Sequence, residues 1–427
     1  MNRDSAHRRA AQFKHAPIHR VHDRRAKENI PGRATNRPHQ PHSQTIAHLV
    51  VGQDGILRRV VNPPRLILRR LAIGAQDGIL PPYNRCMRAF GLSLTSISFL
   101  LIRTAFAQGD AVETVASGRL EVSVAKDSGQ LALYTELDLS QPHPGITRAI
   151  VIFHGLHRNA TGYLRDVEEA RSKAGRAGEN TLLIAPQFLN EDDAHKHKLA
   201  AEVLRWHRAE WEGGEPATKP APISSYDAID AILARLSDRT RFPNLQKIVL
   251  AGHSGGGQIV QRYAVTGHQI AAVEQAGIAL RYVVANPSSY VYFDDHRPLP
   301  LIAHDCAKFD EWKYGLHGAP RYVGSPSSTA LETAYVSRRV TYLLGADDDD
   351  PNGPDIDKNC AAEAQGPTRS RRGASYFKYL QSRHATGLEH RVLLVPGVAH
   401  NARKMFTSTC GIDALFETGA CKAARIE

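Results

Sequence analysis

The first feature with chemical meaning is a serine in a glycine-rich turn. The strand-like stretch 247–251 leads directly into Gly-His-Ser-Gly-Gly at 252–256, and a helix-like stretch follows. Such a sharp strand-to-helix turn strains the serine and exposes its hydroxyl, so the residues two before and two after it must lack side chains. Gly252 and Gly256 meet that requirement. The context predicts Ser254 as a nucleophile, whereas the pentapeptide alone is also compatible with an ordinary glycine turn.

A serine hydroxyl is a weak nucleophile at neutral pH, so it needs a base, and the base needs a carboxylate partner. Four aspartates, residues 347–350, follow the apolar stretch that ends at Gly345, and His400 follows the apolar stretch 392–395. The carboxyl ends of parallel strands meet at one edge of a sheet, where side chains from separate strands converge. We therefore predict His400 as the base. Among 21 histidines it is distinguished by its place after the last strand.

Acyl transfer also requires N–H groups that bind the oxyanion formed when serine attacks a carbonyl. The amide of Gly255, directly after the serine, is one predicted donor. A strand-like stretch at 150–153 ends in His154 and Gly155, which makes the amide of Leu156 the second predicted donor. The alternative for this second loop is a plain glycine turn that ends a strand.

Positioning these groups requires strands that alternate with helices. Two β-like runs, at 120–124 and 131–137, are separated by residues 126–129 and predict a hairpin. A helix is clearest at 225–236, after a serine cap. Six short apolar runs are typical of strands covered on both faces: 149–153, 182–185, 248–251, 282–285, 340–344 and 392–395. This order predicts one domain over 108–427, with a mostly parallel sheet opened by the hairpin.

The serine turn, the His-Gly loop at 154–155, the aspartate run and His400 together resemble the α/β-hydrolase family over residues 119–425. More narrowly, they resemble its exported esterase, lipase and polyester-depolymerase-like members. The resemblance implies an α/β-hydrolase fold with a mostly parallel sheet of about eight strands flanked by helices. It also implies no cofactor and the hydrolysis of small or polymeric carboxylic esters through an acyl-serine intermediate.

The resemblance also bears on which aspartate serves as the acid. In the family the acid usually lies about three residues beyond the glycine that ends its strand. Counting from Gly345 selects Asp348 as the acid, with Asp347 and Asp349 as alternates.

Two other functions are compatible with these residues. The same triad of Ser254, Asp348 and His400 would also serve an amide or peptide hydrolase. A non-catalytic binding protein with the same fold is the alternative outside the enzymes, and the presence of all three triad residues disfavours it.

The net charge of +11 is not spread along the 427 residues. Residues 1–86 hold 16 Lys and Arg against 5 Asp and Glu, whereas the remaining 341 residues hold 38 of each. The main part therefore has no basic surplus that would indicate nucleic-acid binding. We expect 1–86 to be a non-native or disordered basic extension, since a nucleic-acid-binding arm would interleave aromatic residues.

Residues 87–107 have the three parts of a secretory signal peptide. A positive start precedes the apolar stretch 90–102, and the small-x-small pattern Ala-Phe-Ala stands at 105–107. The apolar stretch is shorter than the ~20 residues that span a bilayer, so no stable membrane anchor is expected. The pattern predicts Met87 as the natural start, Gln108 as the first mature residue, and a secreted or periplasmic protein. The alternative is a disordered extension before a short buried helix.

Four cysteines would remain in the exported chain: Cys306, Cys360, Cys410 and Cys421. An even number in such a chain suggests two disulfides. The closeness of Cys410 and Cys421 favours a local bond between them, which leaves Cys306 to Cys360 as one of three connectivities. No cysteine or histidine spacing indicates a zinc site.

Two further features of the sequence allow more than one interpretation. Asp348, Asp350 and Asn352 alternate before Gly353 as in a calcium loop, but Asn359 stands where a bidentate glutamate is needed. A solvated acidic turn is the preferred interpretation, without a metal.

The stretch 287–337 lacks a clear period but is rich in aromatic residues, so it is either packed coil or a lid over the serine. Trp206 and Trp211 are candidates for another wall of the site. The oligomeric state is not defined by the sequence. The aromatic residues of the stretch are Tyr290, Tyr292, Phe293, Trp312, Tyr314 and Tyr322.

Overall fold

A computed structural model describes residues 111–422. The predicted extension 1–86 and the predicted signal 87–107 lie outside the described residues. Within them, eight strands form one sheet in the order β1-β2-β4-β3-β5-β6-β7-β8. The strands are β1 (Gly118–Val124), β2 (Asp127–Thr135), β3 (Arg148–Phe153), β4 (Thr181–Gln187), β5 (Lys247–His253), β6 (Ala279–Ala285), β7 (Arg339–Gly345) and β8 (Arg391–Val395).

The strand directions give the fold class. Strands β1 and β2 are antiparallel, β2 is antiparallel to β4, and every other neighbouring pair is parallel. This order and these directions are those of the α/β-hydrolase fold, so the predicted fold class is confirmed. All six apolar runs predicted as parallel strands are strands, each extended by one to three residues.

The hairpin turn is shorter than predicted. Residues 126–129 were expected to form the connection, but Asp127 pairs with Val124, so the turn consists of Ala125 and Lys126. Ala125 has φ 52°, the left-handed conformation that two-residue hairpin turns use. The polar residues at the start of β2 hid this part of the strand from the hydrophobic pattern.

Helices connect the strands and cover both faces of the sheet. Helix 225–236 of the prediction is α3, which begins after the cap Ser224 and its capping box with Asp227. The helices are α1 (Ala160–Lys173), α2 (Glu191–Lys196), α3 (Ser225–Ser237), α4 (Gly255–Thr266), α5 (Ile270–Gln275), α6 (Pro300–His304), α7 (Ser328–Val336), α8 (Cys360–Glu363), α9 (Arg369–Arg383), α10 (Ala402–Thr407) and α11 (Thr409–Phe416).

Alternate residues of the central strands face two separate cores. In β3, Ala149, Val151 and Phe153 belong to the core with α3, α4 and α9, whereas Ile150 and Ile152 belong to the core with α1, α10 and α11. All five side chains are fully buried. Because both faces of the strand are covered, its sequence is apolar throughout instead of alternating.

Two disulfides join Cys306 to Cys360 and Cys410 to Cys421, as predicted. Disulfides persist in oxidising compartments, so both bonds are consistent with an extracellular location. Among residues 111–422, no helix has the length and apolar character needed to cross a membrane.

Candidate active site

The serine turn shows why its glycines are required. Ser254 lies between β5 and α4 with φ 60° and ψ −123°, a conformation that costs backbone energy in a residue with a side chain. A Cβ atom at Gly252 would overlap the carbonyl oxygen of Gly256, and one at Gly256 would overlap that of Phe153. The Ser254 N–H donates to the carbonyl of Ala285 at 2.9 Å, which fixes the turn on the neighbouring strand.

The structure brings Ser254, His400 and Asp348 together from the ends of three strands. The His400 Nε2 atom lies 3.0 Å from the Ser254 Oγ, and its Nδ1 atom lies 2.8 Å from the Asp348 Oδ2. A carboxylate accepts the Nδ1–H, which leaves Nε2 to accept a hydrogen bond from the serine hydroxyl. The serine and the aspartate are buried, and 19% of the His400 side chain is exposed.

Of the four aspartates, Asp348 is the one that faces the histidine. The side chains of Asp347 and Asp350 are exposed, and Asp350 accepts a hydrogen bond from the N–H of Asn352 at 2.8 Å. Asp349 accepts from two hydroxyls at the start of α9, at 2.6 and 3.0 Å. These hydrogen bonds lower the pKa of Asp349, and the bond from the Thr368 hydroxyl has the largest effect.

The calcium-like spacing does not form a ligand set. The Asp348 carboxylate is engaged by protein donors, and Asp350 is exposed. Across residues 111–422, no group of three or more His, Cys, Asp or Glu side chains is placed to hold a metal ion.

A buried arginine that sequence reasoning missed contacts the acid. Arg369 is the first residue of α9, and its Nη1 lies 3.4 Å from the Asp348 Oδ1. Burial lowers the pKa of Arg369, and the nearby Asp348 carboxylate opposes that shift. No sequence pattern pointed to this residue because the contact spans 21 positions.

The two predicted oxyanion donors flank the serine. The N–H of Gly255 is the first of α4, and the first N–H groups of a helix have no partner within it. Within residues 111–422, neither this N–H nor that of Leu156 donates to a backbone carbonyl. A Cβ atom on Gly155 would lie 3.7 Å from the Cβ of Ser254, so the Leu156 loop passes next to the nucleophile. Both amides therefore lie beside the serine hydroxyl, as the sequence predicts for oxyanion donors.

His154 orients the second of these amides. Its Nε2 accepts a hydrogen bond from the Phe188 N–H at 3.0 Å, so its Nδ1–H donates to the Gly155 carbonyl at 2.8 Å. That carbonyl and the Leu156 N–H belong to one planar peptide group, so the bond also fixes the direction of the N–H. Burial lowers the pKa of His154 to about 4, which keeps the ring neutral near neutral pH. The sequence placed His154 in a motif but gave it no role.

A second buried histidine packs on the base. The rings of His253 and His400 lie 4.5 Å apart between centroids. Burial lowers the pKa of His253 well below its usual value, and neither of its ring nitrogens has a hydrogen-bond partner among the described residues. His253 therefore supplies a neutral surface beside His400.

A cleft of about 880 Å³ opens above these groups. Its walls are the loop 155–159, one face of α1, the acid loop 347–355 and residues 399–403. Charged and polar side chains dominate the lining, which includes few apolar residues beyond Leu156 and Tyr163. Asp166 of α1 also lines it, and partial burial raises the pKa of this carboxyl to about 6. The cleft therefore offers a ligand both polar and apolar surface.

The stretch 287–337 contains α6 and α7, and the aromatic residues at its start are packed in the core. Tyr290 and Tyr292 are fully buried, and their rings contact tyrosines of α9. Trp206 and Trp211 are also buried and pack around a phenylalanine that follows β4. None of these four residues lines the cleft, so the expectation that the two tryptophans form another wall of the site is wrong.

Solved structures that are similar to this chain include a depolymerase and two hydrolases. LpqC, a poly(3-hydroxybutyrate) depolymerase from Bordetella parapertussis, is 22% identical, with 72% of this chain and 92% of that chain covered and a TM-score of 0.49. The poly(aspartic acid) hydrolase-1 of Sphingomonas sp. KT-1 is 20% identical, with 68% and 95% covered and a TM-score of 0.46. For the siderophore hydrolase EstA of Aspergillus nidulans, the identity is 15%, the covered shares are 71% and 95%, and the TM-score is 0.39.

No protein-family profile and no curated protein matches the chain. At the identities of these solved structures, similarity concerns the fold alone. The strand order and the position of the serine turn give the same fold independently of them.

Proposed function

We propose that this protein is a serine hydrolase that cleaves carboxylic esters through an acyl-serine intermediate. The observation that carries the proposal is the continuous hydrogen-bond chain from Asp348 through His400 to Ser254, at 2.8 and 3.0 Å. Nucleophile, base and orienting acid within hydrogen-bond reach of one another are the arrangement that acyl transfer to serine requires.

In the first half of the reaction, the Ser254 Oγ attacks the ester carbonyl while its proton passes to the His400 Nε2. The Asp348 carboxylate stabilises the imidazolium that forms and keeps the ring in its orientation. The protonated His400 then gives its proton to the departing alcohol, and the acyl group stays on Ser254.

In the second half, a water molecule replaces the alcohol. His400 takes a proton from the water as it attacks the acyl-serine carbonyl, and then returns that proton to the Ser254 Oγ as the carboxylic acid leaves. Both halves pass through a tetrahedral oxyanion. The amides of Leu156 and Gly255 are placed to bind this oxyanion, and preorganised donors of this kind are often the largest contribution to catalysis.

The proposal favours esters over amides because of the leaving group. An alkoxide or phenolate departs with less help from a proton donor than an amine does, so an ester places the smaller demand on His400. The cleft of about 880 Å³ has the volume of a small-molecule site, so a short ester is the substrate chosen for the test.

The test is covalent labelling combined with a matched pair of substrates. Wild-type protein and Ser254→Ala are treated with a fluorophosphonate probe and examined by intact mass, with circular dichroism to show that both are folded. Hydrolysis of p-nitrophenyl butyrate is then compared with that of the corresponding p-nitroanilide.

We expect one probe per wild-type chain, none on Ser254→Ala, and cleavage of the ester well above that of the anilide. Labelling with faster anilide cleavage would instead make the protein an amide hydrolase. Folded wild-type protein that does not label would make it a binding protein and overturn the proposal.

Export is part of the same proposal. It is supported by the signal-like sequence 87–107 and by the two disulfides. Mass analysis of the protein recovered from its natural source should find Gln108 at the amino terminus. Peptides from residues 1–86 in that material would contradict the predicted start at Met87.

A further inference from the structure

We propose that Arg369 is a positioning residue that holds the acid Asp348 in register with His400. The inference rests on the proposed function, because it assigns a role within the proposed triad. Arg369 contacts neither the nucleophile nor the base, so it would act through the orientation of the carboxylate.

The guanidinium of Arg369 donates to three different parts of the chain. Its Nη1 reaches the Asp348 Oδ1 at 3.4 Å, its Nε donates to the Ser288 Oγ at 3.0 Å, and its Nη2 donates to the Pro354 carbonyl. Ser288 lies in the loop after β6, and Pro354 lies in the acid loop. A planar guanidinium with three fixed contacts has little freedom to move.

These contacts hold the carboxylate at both of its oxygens. His400 occupies Oδ2 and Arg369 occupies Oδ1, so the plane of the Asp348 carboxylate cannot turn without breaking one of the two contacts. The side chain of Arg369 is fully buried and that of Asp348 is 4% exposed. Removing one partner of a buried charge pair leaves the other charge uncompensated, so loss of Arg369 would release the carboxylate from its present position.

Arg369 also sets which aspartate faces the histidine. The backbone carbonyl of Asp348 accepts from the Ser370 N–H at 3.2 Å, and the Pro354 carbonyl accepts from Arg369. Both ends of the loop 348–354 are therefore attached to the first turn of α9. A shift of this loop by one residue would break both attachments.

A neighbouring arginine provides a matched control. Arg371 lies two residues further along α9, is mostly exposed, and contacts Asp349 at 3.5 Å. Exposed ion pairs of this kind contribute little. Arg371→Met therefore removes the same charge and nearly the same volume without touching the triad.

The experiment measures kcat per active site that a fluorophosphonate titrates, using p-nitrophenyl butyrate. The variants are Arg369→Met, Arg369→Lys, Arg371→Met, Asp348→Asn and the double variant Asp348→Asn/Arg369→Met. Counting only titrated sites separates a positioning role from a structural one, because unfolded or misfolded chains are not counted.

We expect Arg369→Met to lower kcat per titrated site by about 100-fold with KM within about threefold, since small misplacements near a reacting group have costs of this order. Arg369→Lys should recover part of the loss, and Arg371→Met should stay within about twofold of wild type. In the Asp348→Asn background, Arg369→Met should add less than about threefold, because residues that act through one another are not additive.

If Arg369→Met has fewer titrated sites but each site keeps the wild-type kcat, the role of Arg369 is structural only. That result would overturn the inference. A full additional loss on top of Asp348→Asn would also overturn it. If Arg369→Met does not fold, Arg369→Lys and Ser288→Ala decide, since each weakens the clamp while keeping a buried side chain; wild-type kcat in both would overturn it. Wild-type protein that neither labels nor hydrolyses the ester would be a failure of the proposed function itself.

Discussion

The serine turn and the acid loop reach the same site by different means. The conformation of Ser254 is imposed by its own neighbours, because Gly252 and Gly256 permit a backbone approach that no side chain would allow. The orientation of Asp348 is imposed from outside its loop, by His400 at 2.8 Å and Arg369 at 3.4 Å. One part of the site is thus built by backbone sterics and the other by long-range side-chain contacts.

Because of this difference, the two regions should tolerate different substitutions. In the serine turn, added volume is expected to be damaging even if charge is unchanged, whereas in the acid loop a change of charge or hydrogen bonding should be damaging even at constant volume. The variants below test that distinction, beginning with the largest expected effect.

In the acid loop, Asp348→Asn should lower kcat for a short ester by roughly 10³ to 10⁴ while the protein stays folded, because an amide no longer fixes the histidine tautomer. Asp350→Asn should cost far less, since its side chain is exposed. A kcat series over the four single Asn variants, with thermal melts, measures this. A large loss in Asp347→Asn or Asp349→Asn beside near-normal Asp348→Asn would show that the acid is wrongly assigned.

In the serine turn, Gly256→Ala should destabilise the protein by at least about 3 kcal/mol, because one methyl group would overlap the backbone of β3. Gly145→Ala is the control, since nothing lies within 4 Å of a Cβ at that position. Urea unfolding of both variants measures the difference. Equal stability of the two would contradict the steric account of the turn.

The His154 ring and the acid loop should lose their contributions to stability at different pH values. The pKa of His154 is about 4 in the folded protein, below that of the unfolded chain, so unfolding takes up a proton between about pH 6.5 and 4. Stability is therefore lost as the pH falls through that window, by about 1.5–2 kcal/mol for this histidine between pH 6 and 4.5. The lowered pKa of Asp349 acts in the same direction at lower pH: its contribution to stability is present above the unfolded pKa and is lost as the pH falls through the folded pKa.

Urea unfolding at pH 7, 6, 4.5 and 3 checks both windows. His154→Phe should flatten the dependence between pH 6 and 4.5, and Asp349→Asn should flatten it at the lowest pH. A slope between pH 6 and 4.5 that is unchanged in His154→Phe would show that this ring is not the group that titrates.

The smallest expected effect sharpens the role of the oxyanion loop. His154→Phe keeps a ring but removes the donor to the Gly155 carbonyl, so we expect kcat to fall about 10-fold, less than the loss of a whole oxyanion donor. His390→Phe is the matched control, because His390 is also buried with two hydrogen bonds. It precedes β8 and so lies at the amino end of that strand, whereas the site lies at the carboxyl ends of the strands. Equal kcat losses in both variants would point to general destabilisation.

Sequence reasoning was most accurate where structure depends on neighbours along the chain. The six parallel strands, the helix α3 and the serine turn were predicted because their apolar runs, caps and glycines are local signals. A prediction was wrong where packing between distant elements decides whether a side chain is buried. Trp206 and Trp211 were expected to form another wall of the site, but both lie in the core.

The sequence by itself therefore determined the fold class and the serine turn, because each follows from local steric or hydrophobic patterns. It favoured the two disulfides but left three connectivities open, and the structure has the favoured one. Only the tertiary structure decided which of four adjacent aspartates faces His400. Their local sequence is nearly uniform, so the residues themselves do not distinguish them, and the expectation of Asp348 rested on a family resemblance counted from Gly345. The distinction comes from partners 52 residues away at His400 and 21 residues away at Arg369, which only folding brings within hydrogen-bond distance.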